Sequence, residues 1–470
     1  MSSDITMRTM AEVSAMVAKK EISPVELTAA CQENLDRLND DFLAYCTPTP
    51  EVAMEQAKKA EAEIMASGPK SALHGIPIGV KDMFYTKDIL TTGGSRFLKD
   101  FVPDYDATVV SRCKDSGAVL MGKTNTHEWA FACNTRSYFG ESRNPYDPKR
   151  TPGGSSGGSA ISVATGMSFM ALGTDTGGSV RTPSSMCGVV GFKPTYGLTS
   201  QYGVIPLSYS LDHIGCITRS VMDAALTMDL ITGFDPNDPC PARATGPATQ
   251  FAAQLREVDD LKGKVVGVPT NFFQEKLDYE VERLYRETLE KLRDLGAELR
   301  EIQIPYVESF PPMAARIMFA DAAHYHRQRM EENIEGFGPV EQERFRQGAA
   351  WTGVELIDAM QIREKVKRAF EAAAREVDVI AVATNPVTAP LIGAAETPCR
   401  DGMEPTGDIV VRHTRLGTFA GVPAMSVPMG LTKEGMPSGL MLMSGAGRDI
   451  DVLKAGWALE QHFPFTFRKF

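Results

Sequence analysis

What this sequence lacks narrows its chemistry first. It has no C-x-x-C pair and no cluster of histidine and cysteine at zinc spacing, so no metal centre is expected. His324 and His326 flank Tyr325 on a helical pattern and point in different directions. The eight cysteines, Cys31, Cys46, Cys113, Cys133, Cys187, Cys216, Cys240 and Cys399, are scattered, which suits core thiols of a reducing compartment. There is no basic excess: 49 Lys and Arg face 60 Asp and Glu, the net charge is −11, and no lysine or arginine block stands out. A nucleic-acid surface is therefore not expected. The first residues, MSSDITMRTMAEVSAMVAKKEIS, lack a continuous apolar core and a small-residue cleavage site. No secretion signal is expected, and the location reads as cytoplasmic. No internal repeat or low-complexity linker cuts the chain.

What is present centres on Arg150 to Arg181. Two glycine-serine clusters, Gly153-Gly154-Ser155-Ser156-Gly157-Gly158-Ser159 and Thr176-Gly177-Gly178-Ser179, flank a segment with no charged side chain between Arg150 and Asp175. That run is long enough to raise the question of a membrane span, but its Gly, Ser and Thr content favours a buried helix between polar loops. Glycine at this density costs conformational entropy. It is explained if backbone N–H groups must approach a small polar ligand. Serines among such glycines point to hydroxyl chemistry beside an anion-stabilising turn. Upstream, HGIPIGVKDMF reads as a strand ending in Lys81. Burial at that position would disfavour the charged amine and make it a general base.

Around this core the pattern is α/β. Thr9/Glu12 and Ser23/Glu26 are capping boxes opening two helices over 9–40, the second with Pro24 at its first position. Leu27, Cys31, Leu35 and Leu38 keep helical spacing and should face a core. A third helix covers 51–66. Residues 186–220 alternate apolar patches and turns. KVVGVP, a helix through Val281 to Leu295, and AELREIQIP form a strand–helix–strand unit. Helices fill about 309–376, and strands follow at 378–384, in GVPAMSVPMGL and in SGLMLMSG, before a helix at about 449–462.

Two motifs mislead. Gly117 to Thr124 matches the phosphate loop G-x-x-x-x-G-K-[ST], but its four middle residues are strand-like and a helix precedes them. Gly153-x-Ser155-x-Gly157 matches the nucleophile elbow, yet no strand leads into it, and His413 and His462 have no distinctive setting.

The combination His74-Gly75-Ile76-Pro77-Ile78-Gly79-Val80-Lys81-Asp82, Gly122-Lys123-Thr124-Asn125, Asn144-Pro145, Pro152 to Gly158 and Gly173 to Arg181 resembles the amidase signature family, over about residues 8–465. The resemblance implies a single α/β/α sandwich with a large mixed central sheet over 1–470. Its expected parts are N-terminal helices (about 8–66), a catalytic core (about 70–225), a variable part (about 226–400) and C-terminal strands and helix (about 401–470). It implies a Ser–Ser–Lys triad with Ser179 as nucleophile, Ser155 as bridge, in the family a cis-serine, and Lys81 as base. The N–H groups of Thr176, Gly177, Gly178 and Ser179 form the oxyanion hole, Asp175 and Arg181 support the turn, and no cofactor is implied.

By position Trp129, Ala130, Phe131 and Ala132 match the family's acyl-pocket segment, with Met83, Phe84 and Tyr85 nearby. One branch, the glutaminase component of the tRNA-dependent amidotransferase, holds glutamine through a late-helix arginine and an aspartate. Arg363 falls at the first position and Val411 at the second, with Asp408 close by. The leading expectation is therefore a free-standing amidase acting on a small amide, aryl amide or carbamate, without nucleic acid or membrane, a homodimer being left open. The alternative is a glutaminase like that amidotransferase component, acting with partner subunits.

Overall fold

A computed structural model describes residues 5–238 and 249–470; Cys240 and the first four residues lie outside them. The organising element is an eleven-stranded sheet. Numbered in chain order within this sheet, its strands are β1 Tyr45–Pro48, β2 Pro77–Lys81, β3 Val119–Thr124, β4 Met170–Asp175, β5 Val190–Lys193 and β6 His213–Thr218. They continue as β7 Val265–Pro269, β8 Glu298–Ile302, β9 Val379–Ala383, β10 Ala424–Leu431 and β11 Pro437–Met443. The spatial order is β1-β3-β2-β4-β6-β5-β10-β11-β9-β7-β8. The sheet is mixed: β3, β2 and β4 run parallel, as do β9, β7 and β8, and the central pairings are antiparallel.

Both faces are covered, and the strands show it residue by residue. In β9, Val379, Ala381 and Ala383 join one apolar cluster while Ile380 and Val382 join the other. In β11, Leu440 and Leu442 face the first cluster and Met441 and Met443 the second. Successive side chains point to opposite faces, so a strand buried twice must be apolar throughout. The first face is packed by the helices Met10–Ala18, Pro24–Phe42 and Tyr279–Asp294, among others. Both expected capping boxes form. The second face is packed by Phe310–Asn333, Pro339–Ala350 and Gly353–Arg375.

The phosphate-loop match is strand β3. Lys123 is buried there and donates to Phe84 O and to Thr91 Oγ1 at 2.7 Å, with Asp82 3.8 Å away. Its amine is engaged in holding the fold. The charge-free run forms the helix Gly157–Ala164, buried at every position, and then β4. No helix among the described residues is long and apolar enough to cross a membrane. The seven described cysteines are all free.

Candidate active site

The candidate catalytic residues meet where β2 and β4, neighbouring parallel strands, reach their carboxyl ends. Lys81 is the last residue of β2 and Asp175 the last of β4. Such strand ends, opening into turns rather than ladder bonds, are where α/β sheets place ligands. Ser155 stands before the buried helix Gly157–Ala164, and Ser179 in the turn between β4 and the helix Arg181–Cys187. The Gly154–Ser155 peptide is cis.

Lys81 Nζ donates to Ser155 Oγ at 2.8 Å and to Thr174 Oγ1 at 2.7 Å. Lys81 and Ser155 have no solvent exposure, whereas Ser179 keeps 8% and lines the cavity above them. The three are thus layered from a sealed amine to an accessible hydroxyl. Burial lowers the Lys81 pKa to about 7, and Asp175 and Asp212 oppose the shift only in part. Ser179 is tied to the glycine loop through its carbonyl, which accepts from Ser156 N at 3.2 Å. Among the described residues its hydroxyl has no hydrogen bond to Ser155.

Asp175 organises the second turn. Its carboxylate accepts from Gly178 N at 2.7 Å, Val180 N at 3.1 Å and Arg181 N at 3.4 Å, and is gripped by Arg181 Nε at 2.9 Å and Nη2 at 2.8 Å. Burial pushes its pKa up, but the paired guanidinium prevails and holds it at about 2. The expected supporting role of Asp175 and Arg181 is visible in these bonds. One expected oxyanion donor is not free: the N–H of Gly178 is already given to Asp175. The N–H groups of Thr176, Gly177 and Ser179 carry no protein hydrogen bond among the described residues. Gly178 also has φ +129°, and a Cβ there would lie 2.1 Å from Thr414 Oγ1. Thr414 itself donates to Gly177 O at 2.8 Å, bracing the turn from the C-terminal part.

The cavity over Ser179 is lined by Ala130, Phe131, Ala132, Cys133, Thr176, Gly177, Ser179, Leu207, Met318, Phe319, Arg344, Gly407, Val411 and Arg415. Three of the four expected pocket residues reach it. Trp129 does not: it packs behind the wall, its ring 4.4 Å from that of His326, with Arg329 over its face. Trp129 and Ala130 both adopt positive φ, 53° and 58°, and that left-handed bend turns Ala130–Ala132 to the cavity and Trp129 away. Met83 and Phe84 are core residues, and Tyr85 packs on Phe101 and Tyr105; none of the three lines the cavity. Arg363 is also displaced from its expected role. Its guanidinium donates to Phe419 O at 2.9 Å and Ser210 O at 2.8 Å, outside the cavity. The late-helix arginine at the cavity is Arg344, which donates to Phe131 O and lies over the rings of Phe131 and Phe319.

Two residues near the base escaped the sequence reading. Thr174 holds the amine, and Asp212 accepts from Thr176 Oγ1 at 2.5 Å and from Leu207 N and Ser208 N. Thr174 sits inside the G-T-D-T-G-G-S motif; nothing local marks Asp212. Neither histidine considered for a nucleophile elbow serves one: His413 bonds Ala383 O and His462 bonds Asp259 O. No group of three or more His, Cys, Asp or Glu among the described residues is placed to hold a metal ion.

Comparison with known proteins places this arrangement in a class. The Amidase family model matches residues 26–453, and the chain belongs to that family. It is an amidase, a hydrolase of carbon–nitrogen bonds in amides. Among its relatives, the A subunit of the Glutamyl-tRNA(Gln) amidotransferase of Cyanothece sp. is 37% identical, across 98% of this chain and 99% of its own. A solved structure of the A subunit of the Glutamyl-tRNA(Gln) amidotransferase from Thermotoga maritima has a TM-score of 0.82 and 31% identity, covering 98% of this chain and 97% of that one. Another, described as an unexpected vestigial protein complex revealing the evolutionary origins of an s-triazine catabolic enzyme, has a TM-score of 0.92 and 27% identity, covering 98% and 100%. These relatives correct the expected setting. A chain acting alone on a small molecule, with no nucleic acid and at most a copy of itself, does not fit relatives that are named as one part of a tRNA-linked amidotransferase or described as a complex.

Proposed function

We propose that this chain is the amide-cleaving component of a larger assembly, hydrolysing a carboxamide through an acyl-enzyme on Ser179. The observation that carries the chemistry is the sealed Lys81 amine 2.8 Å from Ser155 Oγ, with its pKa lowered to about 7 by burial. A shift from 10.5 corresponds to on the order of 5 kcal/mol against charging, enough to leave much of the amine neutral near pH 7. Neutral Lys81 draws a proton from Ser155, and Ser155 takes one from Ser179. Ser179 Oγ attacks the carbonyl carbon, and the developing oxyanion is held by the N–H groups of Thr176, Gly177 and Ser179. Ser155 then delivers a proton to the departing nitrogen, since an amide anion is a poor leaving group, and recovers one from Lys81, which is neutral again. Water displaces the acyl group and restores the hydroxyl.

The assembly rests on what the relatives' names say of them. The free cysteines agree with a reducing, cytoplasmic setting. One observation speaks against glutamine as the substrate. The cavity wall has Val411 where the resemblance calls for an aspartate, and among the described residues it contains no carboxylate to meet an α-ammonium group. The test is a serine-directed fluorophosphonate read by intact mass, with ammonia release from carboxamides measured for the chain alone and with its co-purified partners. Labelling is expected at Ser179 and absent in Ser179→Ala, with turnover rising when partners are present. Labelling that persists in Ser179→Ala overturns the nucleophile, and turnover indifferent to partners overturns the assembly.

A further inference from the structure

In a chain with a net charge of −11, the cavity over Ser179 is lined, among the described residues, by two arginines and by no acidic residue. Arg415 comes from the short helix Thr414–Phe419, Arg344 from Pro339–Ala350. The stem of Arg415 runs along the oxyanion turn: a Cβ on Gly177 would lie 3.4 Å from its Cγ and 3.9 Å from its Nε. Its side chain is 13% exposed, and its ion-pair partner among the described residues is Asp408, 3.7 Å away and 73% exposed. An exposed carboxylate at that range offsets only part of the cost of burying a guanidinium. Burial lowers the proton affinity of Arg415; Asp408 opposes the shift only in part, and the nearby Arg344 adds to it, so two like charges sit close together at one wall. Arg344 gives one of its donors to Phe131 O and stacks on aromatic rings, leaving Arg415 as the less satisfied cation.

We infer that Arg415 is a specificity-determining residue that receives a carboxylate of the substrate, so that the amide cleaved by this chain is an anion without a neighbouring ammonium group. A guanidinium offers a planar fork that fits a carboxylate through two parallel bonds. Its place beside Gly177 sets that carboxylate a short distance from the scissile carbonyl, as in the monoamide of a short dicarboxylic acid. The surrounding Leu207, Met318, Phe319 and Val411 are apolar, which strengthens a charge pair inside the cavity and gives an ammonium nothing to bond.

This rests on Ser179 being the nucleophile, and the experiment separates the two claims. Labelling rates are compared for two alkyl fluorophosphonates of equal chain length, one ending in a carboxylate and one in its methyl ester. The carboxylate probe should label the native protein at least about tenfold faster, at the low end of what a charge-assisted bond contributes. Arg415→Met should bring the ratio close to one, and Arg415→Lys should keep part of it. Asp408→Asn, a surface change that removes the competing carboxylate, should raise it. Because each readout is a ratio within one protein, a loss of folded material cancels. Equal rates in the native protein, or a ratio unchanged in Arg415→Met, overturn the inference while leaving Ser179 as nucleophile; labelling of neither probe at Ser179 would remove both.

Discussion

Two regions of this molecule meet at one cavity and differ in how they are built. The floor, β2, β4 and the two glycine-serine turns, comes from contiguous motifs whose chemistry is carried by backbone and by buried side chains at strand ends. The wall, Met318, Phe319, Arg344, Gly407, Val411 and Arg415, comes from long helices and short turns more than a hundred residues further along the chain. The floor is over-determined: Asp175 alone takes three backbone donors and one guanidinium. The wall side chains hold few bonds to the rest of the protein. On the proposed function, reaction type lies in the first region and substrate choice in the second, and changes in each should therefore have different signatures.

The largest effect belongs to the floor. Lys81→Met and Ser179→Ala should each lower turnover by at least about 10⁴-fold, as removal of a nucleophile or its base does elsewhere. Lys81→Met should at the same time keep or raise the unfolding temperature near pH 7, because it removes a buried amine. Between about pH 7 and 10.5 the unfolded chain holds a proton on Lys81 that the folded chain does not, so the native protein gains stability from this group as pH rises there. Any stability advantage of Lys81→Met should therefore be largest at pH 7 and below and shrink as pH rises through that window. Calorimetry of the pair across pH checks the sign.

Next comes Gly178→Ala. With φ +129° and a Cβ 2.1 Å from Thr414 Oγ1, it should displace the brace on Gly177. Loss of one aligned oxyanion donor predicts a fall of about 10² to 10³-fold in kcat, and the left-handed backbone about 1–3 kcal/mol of stability. Steady-state kinetics and denaturant titration read the two separately.

A smaller effect sharpens the contrast between the two arginines. Arg344→Met should raise KM a few-fold, since a cavity cation is lost, and lower the unfolding temperature slightly, since Phe131 O loses its donor. Arg363→Met should leave KM unchanged and lower the unfolding temperature, since it strips partners from the carbonyls of Phe419 and Ser210. Smallest of all, Val411→Asp should improve glutamine turnover a few-fold relative to a carboxylated amide lacking an ammonium, in a competition assay.

How much was legible follows the same division. Lys81 could be read as a buried base because it ends an apolar strand, and both capping boxes could be read because their bonds are local. Gly178 was legible as a turn glycine but not as an occupied donor, since that depends on where Asp175 aims its oxygens. Trp129 cannot be told from its neighbours by sequence order, which says nothing of a left-handed bend that sends one side chain behind the wall. Arg363 and Arg344 lie on successive helices of similar composition, and only the packing of Gly353–Arg375 against the chain at Ser210 and Phe419 separates them. Arg415 and Asp212 carry no motif; only folding brings them to the site.

The central claim is an uncharged lysine at rest beneath two serines. The direct measurement is the rate of Ser179 labelling by an uncharged fluorophosphonate from about pH 5 to 10 in the native protein. The predicted profile is a single acid limb with a midpoint near the Lys81 value of about 7 and a plateau above it, because only the neutral amine accepts the proton. A rate that stays flat across the range, or that begins to rise only near the ordinary lysine value of 10.5, would contradict it.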